Sequence, residues 1–145
     1  MTRVRPLLLL LALALSPAGL AGQQRDELPR LVETLAQLWA RGEAGRLAGL
    51  GAEDGLDLEI QGRAMGAVTG RRAAAALRQL FGAQQTVAVR HGVVSRVSGA
   101  ENRAFAELTW EVRPPGAQVT ERTTVFVGFV RERSRWRVSQ IRILP

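Results

Sequence analysis

Trp136-Arg137-Val138-Ser139-Gln140-Ile141-Arg142-Ile143 is the stretch on which the fold turns. Its apolar residues occupy one phase as Trp136 and Val138, then the other as Ile141 and Ile143. One extra residue near Ser139-Gln140 keeps all four on the same face. Such a bulge bends a strand, and a bent final strand predicts a curved antiparallel sheet. Moving outward, Thr120 to Arg133 carries Val125, Val127 and Phe129 on one side and Phe126 and Val130 on the other. That pattern predicts a strand with cover on both faces, turning at Arg133-Ser134. Before it, Ala104, Ala106, Leu108, Trp110 and Val112 alternate with Phe105, Glu107, Thr109 and Glu111, until Pro114-Pro115-Gly116 ends the ladder. Thr86 to Ser98 is the preceding strand, with Val87, Val89, His91 and Val93 on one phase and a bulge where Val94 and Val97 break it.

Earlier residues supply helices. Leu28, Leu31, Val32, Leu35, Leu38 and Trp39 recur at three and four and predict a helix over 26–41 stopped by Gly42. A short helix over 43–50 follows, weakened by Gly45 and Gly49. Leu56, Leu58 and Ile60 alternate with Asp57 and Glu59 as a half-buried strand, and 61–68 reads as a turn or short irregular strand. Thr69 is placed to cap a helix through Phe81, with Ala73, Ala76, Leu77, Leu80 and Phe81 inward. Arg71 and Arg72 stand in its first turn, where positive charge is unfavourable.

The first residues have a different layout. Arg3 and Arg5 precede the apolar run Leu7 to Leu15, and Ser16-Pro17-Ala18-Gly19-Leu20-Ala21 follows with small residues at alternate positions. This is the pattern of a secretory signal peptide over 1–21, cleaved after Ala21, with cleavage after Ala18 as the second choice. The run is shorter than the roughly 20 residues that span a bilayer, so no stable membrane anchor is expected. A single domain over 22–145 and a periplasmic or secreted location follow. The chain has no cysteine, which excludes disulfides and a cysteine-linked lipid. All 20 cationic residues are arginine, which reads as a GC-rich coding bias. Removing Arg3 and Arg5 lowers the formal charge from +7 to +5.

The order helix, short helix, strand, helix and four further strands resembles the cone-shaped nuclear-transport-factor-2-like (NTF2-like) superfamily, in particular its small secreted bacterial members of unknown function. Leu35-Ala36-Gln37-Leu38-Trp39-Ala40-Arg41-Gly42, Leu56-Asp57-Leu58-Glu59-Ile60 and the Trp136 strand carry the resemblance. It implies an α+β fold in which a curved antiparallel sheet, a cone-like barrel, holds the N-terminal helices on its concave face. It also implies a cavity between sheet and helices, against which His91, Ala104, Ala106, Trp39 and Phe129 are the expected ligand-binding residues. Many members dimerise through the back of the sheet. Here Phe105, Glu107, Phe126, Val130 and Arg137 would form that interface, a partly apolar face that needs cover.

The fold hosts isomerases, dehydratases and plain binding domains, so chemistry must be read from residues. His91 is the one candidate general base. The chain has no tyrosine to hold an oxyanion, and Asp57, Glu59, Glu107 and Glu111 fall on the outward phase. One histidine and no cysteine make a poor metal set, and no glycine-rich phosphate loop precedes a helix. No cofactor or metal is expected. Arg131, Arg133, Arg135 and Arg137 surround Trp136 as a basic patch would, but Glu132 interrupts them and Trp136 has the phase of a core residue, so nucleic acid is not the expected partner. The expectation is an exported, non-catalytic binding domain for a small apolar or anionic ligand or a partner, and a homodimer because its sheet face needs cover. The alternatives are a cofactor-free isomerase or dehydratase using His91, and an assembly protein acting through the sheet face.

Overall fold

The computed structural model describes residues 18–144, with side-chain environments from Glu27 onward. Of the expected signal segment, residues 1–17 lie outside the described residues, and its last four open the first helix. No helix among the described residues is long and apolar enough to cross a membrane.

Helix α1 (Ala18–Ala40) buries Leu28, Val32, Leu35, Ala36, Leu38 and Trp39 along one stripe. It ends in a Schellman closure: Gly42 N–H donates to the Trp39 carbonyl at 3.0 Å and Glu43 N–H to the Leu38 carbonyl at 3.0 Å. Gly42 stands at φ +65°, the left-handed geometry that this stop requires. Helix α2 (Ala44–Ala48) is one short turn that buries Ala44, Leu47 and Ala48. Helix α3 (Gly70–Gly82) buries Ala73, Leu77 and Leu80. Thr69 occupies its N-cap position in extended conformation, yet its side chain makes no capping hydrogen bond.

The strands are β1 (Leu56–Ile60), β2 (Arg63–Val68), β3 (Gln85–His91), β4 (Ser95–Val97), β5 (Ala100–Arg113), β6 (Glu121–Glu132) and β7 (Arg135–Ile143). They form a seven-stranded sheet in the order β2-β1-β7-β6-β5-β3, with β4 also paired to β5. The expected all-antiparallel sheet needs one correction, because β1 runs parallel to β7, Leu58 lying opposite Ile141. An alternating strand declares which face it buries but not which neighbour it takes, and β1 reaches β7 only across the rest of the domain. The sheet is also open rather than closed into a barrel.

The bend in β7 falls where the phase conflict placed it. Gly128 pairs with Gln140 and Phe129 with Val138, leaving Ser139 as the extra residue. Trp136, Val138, Ile141 and Ile143 are all buried as a result. Inward residues of β5, β6 and β7 meet α1 and α3 in one continuous core. At its centre Trp39, Phe81 and Trp110 pack edge to face, with ring centroids 5.2 to 6.1 Å apart. Such aromatic geometry adds to the area these rings bury.

The 86–98 segment is two strands rather than one. Thr86 pairs with Val112 and Ala88 with Glu111, so Val87 is the extra residue of a bulge and is exposed. Thr86 takes the inward place and accepts a 3.0 Å hydrogen bond from Trp110 Nε1. Gly92-Val93-Val94 then interrupts the pairing, with Val93 fully on the surface.

Candidate functional site

The β1–β2 hairpin turns at Gln61-Gly62, with φ of 51° and 77°, and stands its tip against the second half of α3. Between them is a cavity of about 370 Å³. Ile60, Met65, Ala76 and Leu80 supply its apolar wall, while Gln61, Arg63, Gln79 and Gln84 supply polar groups. The chemistry is that of one guanidinium and three carboxamides over an aliphatic surface. Met65 is 40% exposed, an outlay of apolar surface that a ligand would cover. The lining holds no histidine, carboxylate or thiol, so the cavity offers donors, acceptors and one guanidinium.

The expected ligand-binding residues lie elsewhere. Ala104, Ala106, Trp39 and Phe129 are at most 3% exposed and belong to the filled core. Small residues on β5 admit the helices instead of leaving room. Trp39 Nε1 is one of two buried side-chain nitrogens without a hydrogen-bond partner among the described residues, the other being Arg113 Nε.

His91 corrects the sequence expectation in depth though not in phase. It pairs with buried Leu108 and therefore shares the inner face. It is nevertheless exposed, because β3 is the sheet's edge and His91 its last residue. Its ring Nδ1 lies 3.3 Å from the Gly92 carbonyl oxygen, and it does not line the cavity beside the hairpin.

The outer face of the sheet carries the residues expected at a dimer interface. Phe105 and Phe126 stack with centroids 5.5 Å apart and planes 23° from parallel. Val130 and Arg137, which pair across β6 and β7, are half-buried and Glu107 is exposed. Around them Arg142 donates to Glu59 at 2.8 Å, and Arg90 and Arg122 both reach Glu111. Trp136, considered as an aromatic platform, is buried, and the Arg96 guanidinium lies 5.3 Å from its ring centroid.

The hydrogen bond from Arg90 holds the Glu111 carboxyl below its ordinary value; desolvation opposes this, and the charges of Arg90 and Arg122 add to the lowering. A folded-state value below the unfolded one gives a stabilising contribution that is complete above the ordinary glutamate value. It fades as pH falls through the lowered value. The thermal midpoint of Glu111→Gln should therefore trail the wild type by a constant margin at neutral pH. That margin should close below about pH 4, and one that persists unchanged at pH 3 contradicts the assignment.

An open, bent sheet with helices on its concave side and a cavity at one end defines a half-open α+β cone. No family model matches the sequence, and no curated protein does. Among solved structures, a DUF4783 family protein from Bacteroides ovatus superposes with TM-score 0.62 at 18% identity, over 76% of this chain and 90% of that one. An NTF-2 like protein of unknown function from Shewanella oneidensis gives TM-score 0.61 at 13% identity, over 83% of this chain and 98% of that one. Kfla4162 from Kribbella flavida gives 0.60 at 24% identity, over 86% and 91%. This chain has an NTF2-like fold.

Proposed function

We propose that the protein is an exported, non-catalytic binding domain whose ligand is a small amphiphilic anion held between the β1–β2 hairpin and α3. The observation that carries this reading is the cavity lining, in which Arg63 and the carboxamides of Gln61, Gln79 and Gln84 face an aliphatic wall. A guanidinium selects an anionic group and the wall selects an apolar body. His91 stands outside the cavity, which weighs against the enzymatic alternative. Export rests on the charged, apolar and small-residue layout of residues 1–21.

The probe for this reading is 1-anilinonaphthalene-8-sulfonate, an aromatic body carrying one sulfonate. Its fluorescence should rise saturably at one site per chain. Arg63→Ala should weaken binding about tenfold, the scale of one lost charge-assisted contact, and Ala76→Phe should abolish it by filling the wall. Equal affinity for wild type and both variants would remove the cavity from consideration.

The stacked pair Phe105 and Phe126 favours a second role for the outer face, as the contact between two copies of the chain. Interleaved arginines and glutamates around the pair suit a self-complementary rim. Phe126→Asp should leave the circular dichroism spectrum unchanged and convert a dimer to monomer in sedimentation analysis. A wild-type chain that sediments as a monomer at high micromolar concentration rules the interface out.

A further inference from the structure

We infer that the surface formed by β2 and the exposed side of α3 docks on an anionic phospholipid bilayer. Between Glu59 and Glu101 the sequence has no aspartate or glutamate, yet it holds Arg63, Arg71, Arg72, Arg78, Arg90 and Arg96. Two of these are occupied, Arg90 by Glu111 and Arg96 by the ring of Trp136. The other four are exposed, and no carboxylate pairs with them among the described residues. Asp57 and Glu59 of neighbouring β1 alternate with buried Leu56 and Leu58, so they stand on the opposite face of the sheet, and Glu59 is bonded to Arg142. The β2–α3 surface is therefore cationic without internal compensation.

The helix places its share of these charges side by side. Arg71, Ala75 and Arg78 recur at four and three and form one exposed stripe of α3. Arg72 begins the next stripe, which continues through Ala76, Gln79 and Ala83 into the cavity wall, and Arg63 stands across that cavity on β2. At 1.5 Å per residue Arg71 and Arg78 are about 10 Å apart along the axis. Cations spaced along a helix and across to a strand edge suit an extended field of phosphodiesters better than one small anion. Arg71 and Arg72 also oppose the positive end of α3, a cost that an anionic surface offsets. Exposed Met65 on the same strand edge selects a bilayer over an acidic polypeptide, because a bilayer interface accepts apolar side chains between its headgroups.

Docking stands independently of the ligand proposed for the cavity. Because the full chain has no cysteine, Ala75→Cys carries a single nitrobenzoxadiazole label on the arginine stripe, and Glu107→Cys carries it on the outer face of the sheet. With vesicles of mixed phosphatidylglycerol and phosphatidylcholine, the Ala75→Cys label should brighten and shift to the blue, and the response should fade in strong salt. Phosphatidylcholine alone should leave it unchanged, and the Glu107→Cys label should respond to neither. Residues 1–21 are the same in both labelled chains, so a difference between the labels reports the docking face and not that segment. Adding Arg71→Gln, Arg72→Gln and Arg78→Gln should weaken vesicle binding roughly a hundredfold, about fivefold for each arginine, and keep saturable binding of 1-anilinonaphthalene-8-sulfonate. Ala76→Phe should do the converse, so the bilayer surface and the cavity fail separately. If the triple variant does not fold, the contrast between the two labels and between the two vesicles decides. Equal response to both vesicles, response of the Glu107→Cys label alone, or unchanged binding by the folded triple variant overturns the proposal. Binding of polyglutamate without any response to vesicles also overturns it and assigns the surface to an acidic polypeptide.

Discussion

Trp39→Ala is expected to lower the unfolding free energy by about 4 kcal/mol, read from urea denaturation. Trp39 is fully buried and touches both other rings of the aromatic cluster edge to face. Its removal would open a cavity at the junction of α1, α3 and β5, where rigid elements on every side limit collapse. Trp39 Nε1 has no partner, so Trp39→Phe removes an unsatisfied donor together with some packing. Trp110 Nε1 donates to Thr86 Oγ1 at 3.0 Å, so Trp110→Phe loses a hydrogen bond and strands the hydroxyl as well. Trp110→Phe should therefore be the more destabilising by about 1 kcal/mol. The reverse order would mean that the two indoles are not held as described.

Gly128→Val is expected to cost about 3 kcal/mol, the upper range for forcing volume into a packed position. Gly128 is buried opposite the β7 bulge, and a Cβ there would come within 3.2 Å of Gln140 Cβ and 3.4 Å of Ser139 Oγ. Both neighbours are brought close by the bulge, not by the length of a side chain. Deleting Ser139 restores plain alternation through Val138, Gln140 and Ile141 and keeps Trp136 and Ile143 inward. The deletion should thus recover much of the loss caused by Gly128→Val. Thermal melts of the two single variants and the combination form a double-mutant cycle. Strict additivity would show that the strain does not come from the bulge.

The same bulge shows what could be read from the sequence alone. Two apolar pairs in opposite phases within one short strand have one economical resolution, an extra residue between them, and Ser139 supplies it. The α1 stripe, the β1 alternation and the inward set of β5 were legible for a related reason: each is a repeated pattern imposed by a single buried face. The cavity was not legible. Its hairpin contributes β2, an edge strand whose residues are exposed from Arg63 to Ala67 and so carry no alternation. The Gln61-Gly62 turn between two short strands was the available signal. Small inward residues such as Ala104 and Ala106 are compatible with open space as well as with close helix packing, and Trp39 and Phe129 are buried beside them. Here they face helices. His91 shows the remaining limit, since parity assigns a side to a residue but cover depends on which strand becomes the edge.

The binding reading rests on the space between the β1–β2 hairpin and α3, so the most direct measurement places a ligand there atom by atom. Carbon-13 and nitrogen-15 NMR of the full chain, titrated with 1-anilinonaphthalene-8-sulfonate, reports on the Met65 methyl and the Gln61, Gln79 and Gln84 carboxamides. The account predicts saturable shifts at these groups with a common dissociation constant and little change at Phe105 and Phe126. Saturable shifts confined to the two phenylalanines, or none at Met65 under saturating probe, would contradict it.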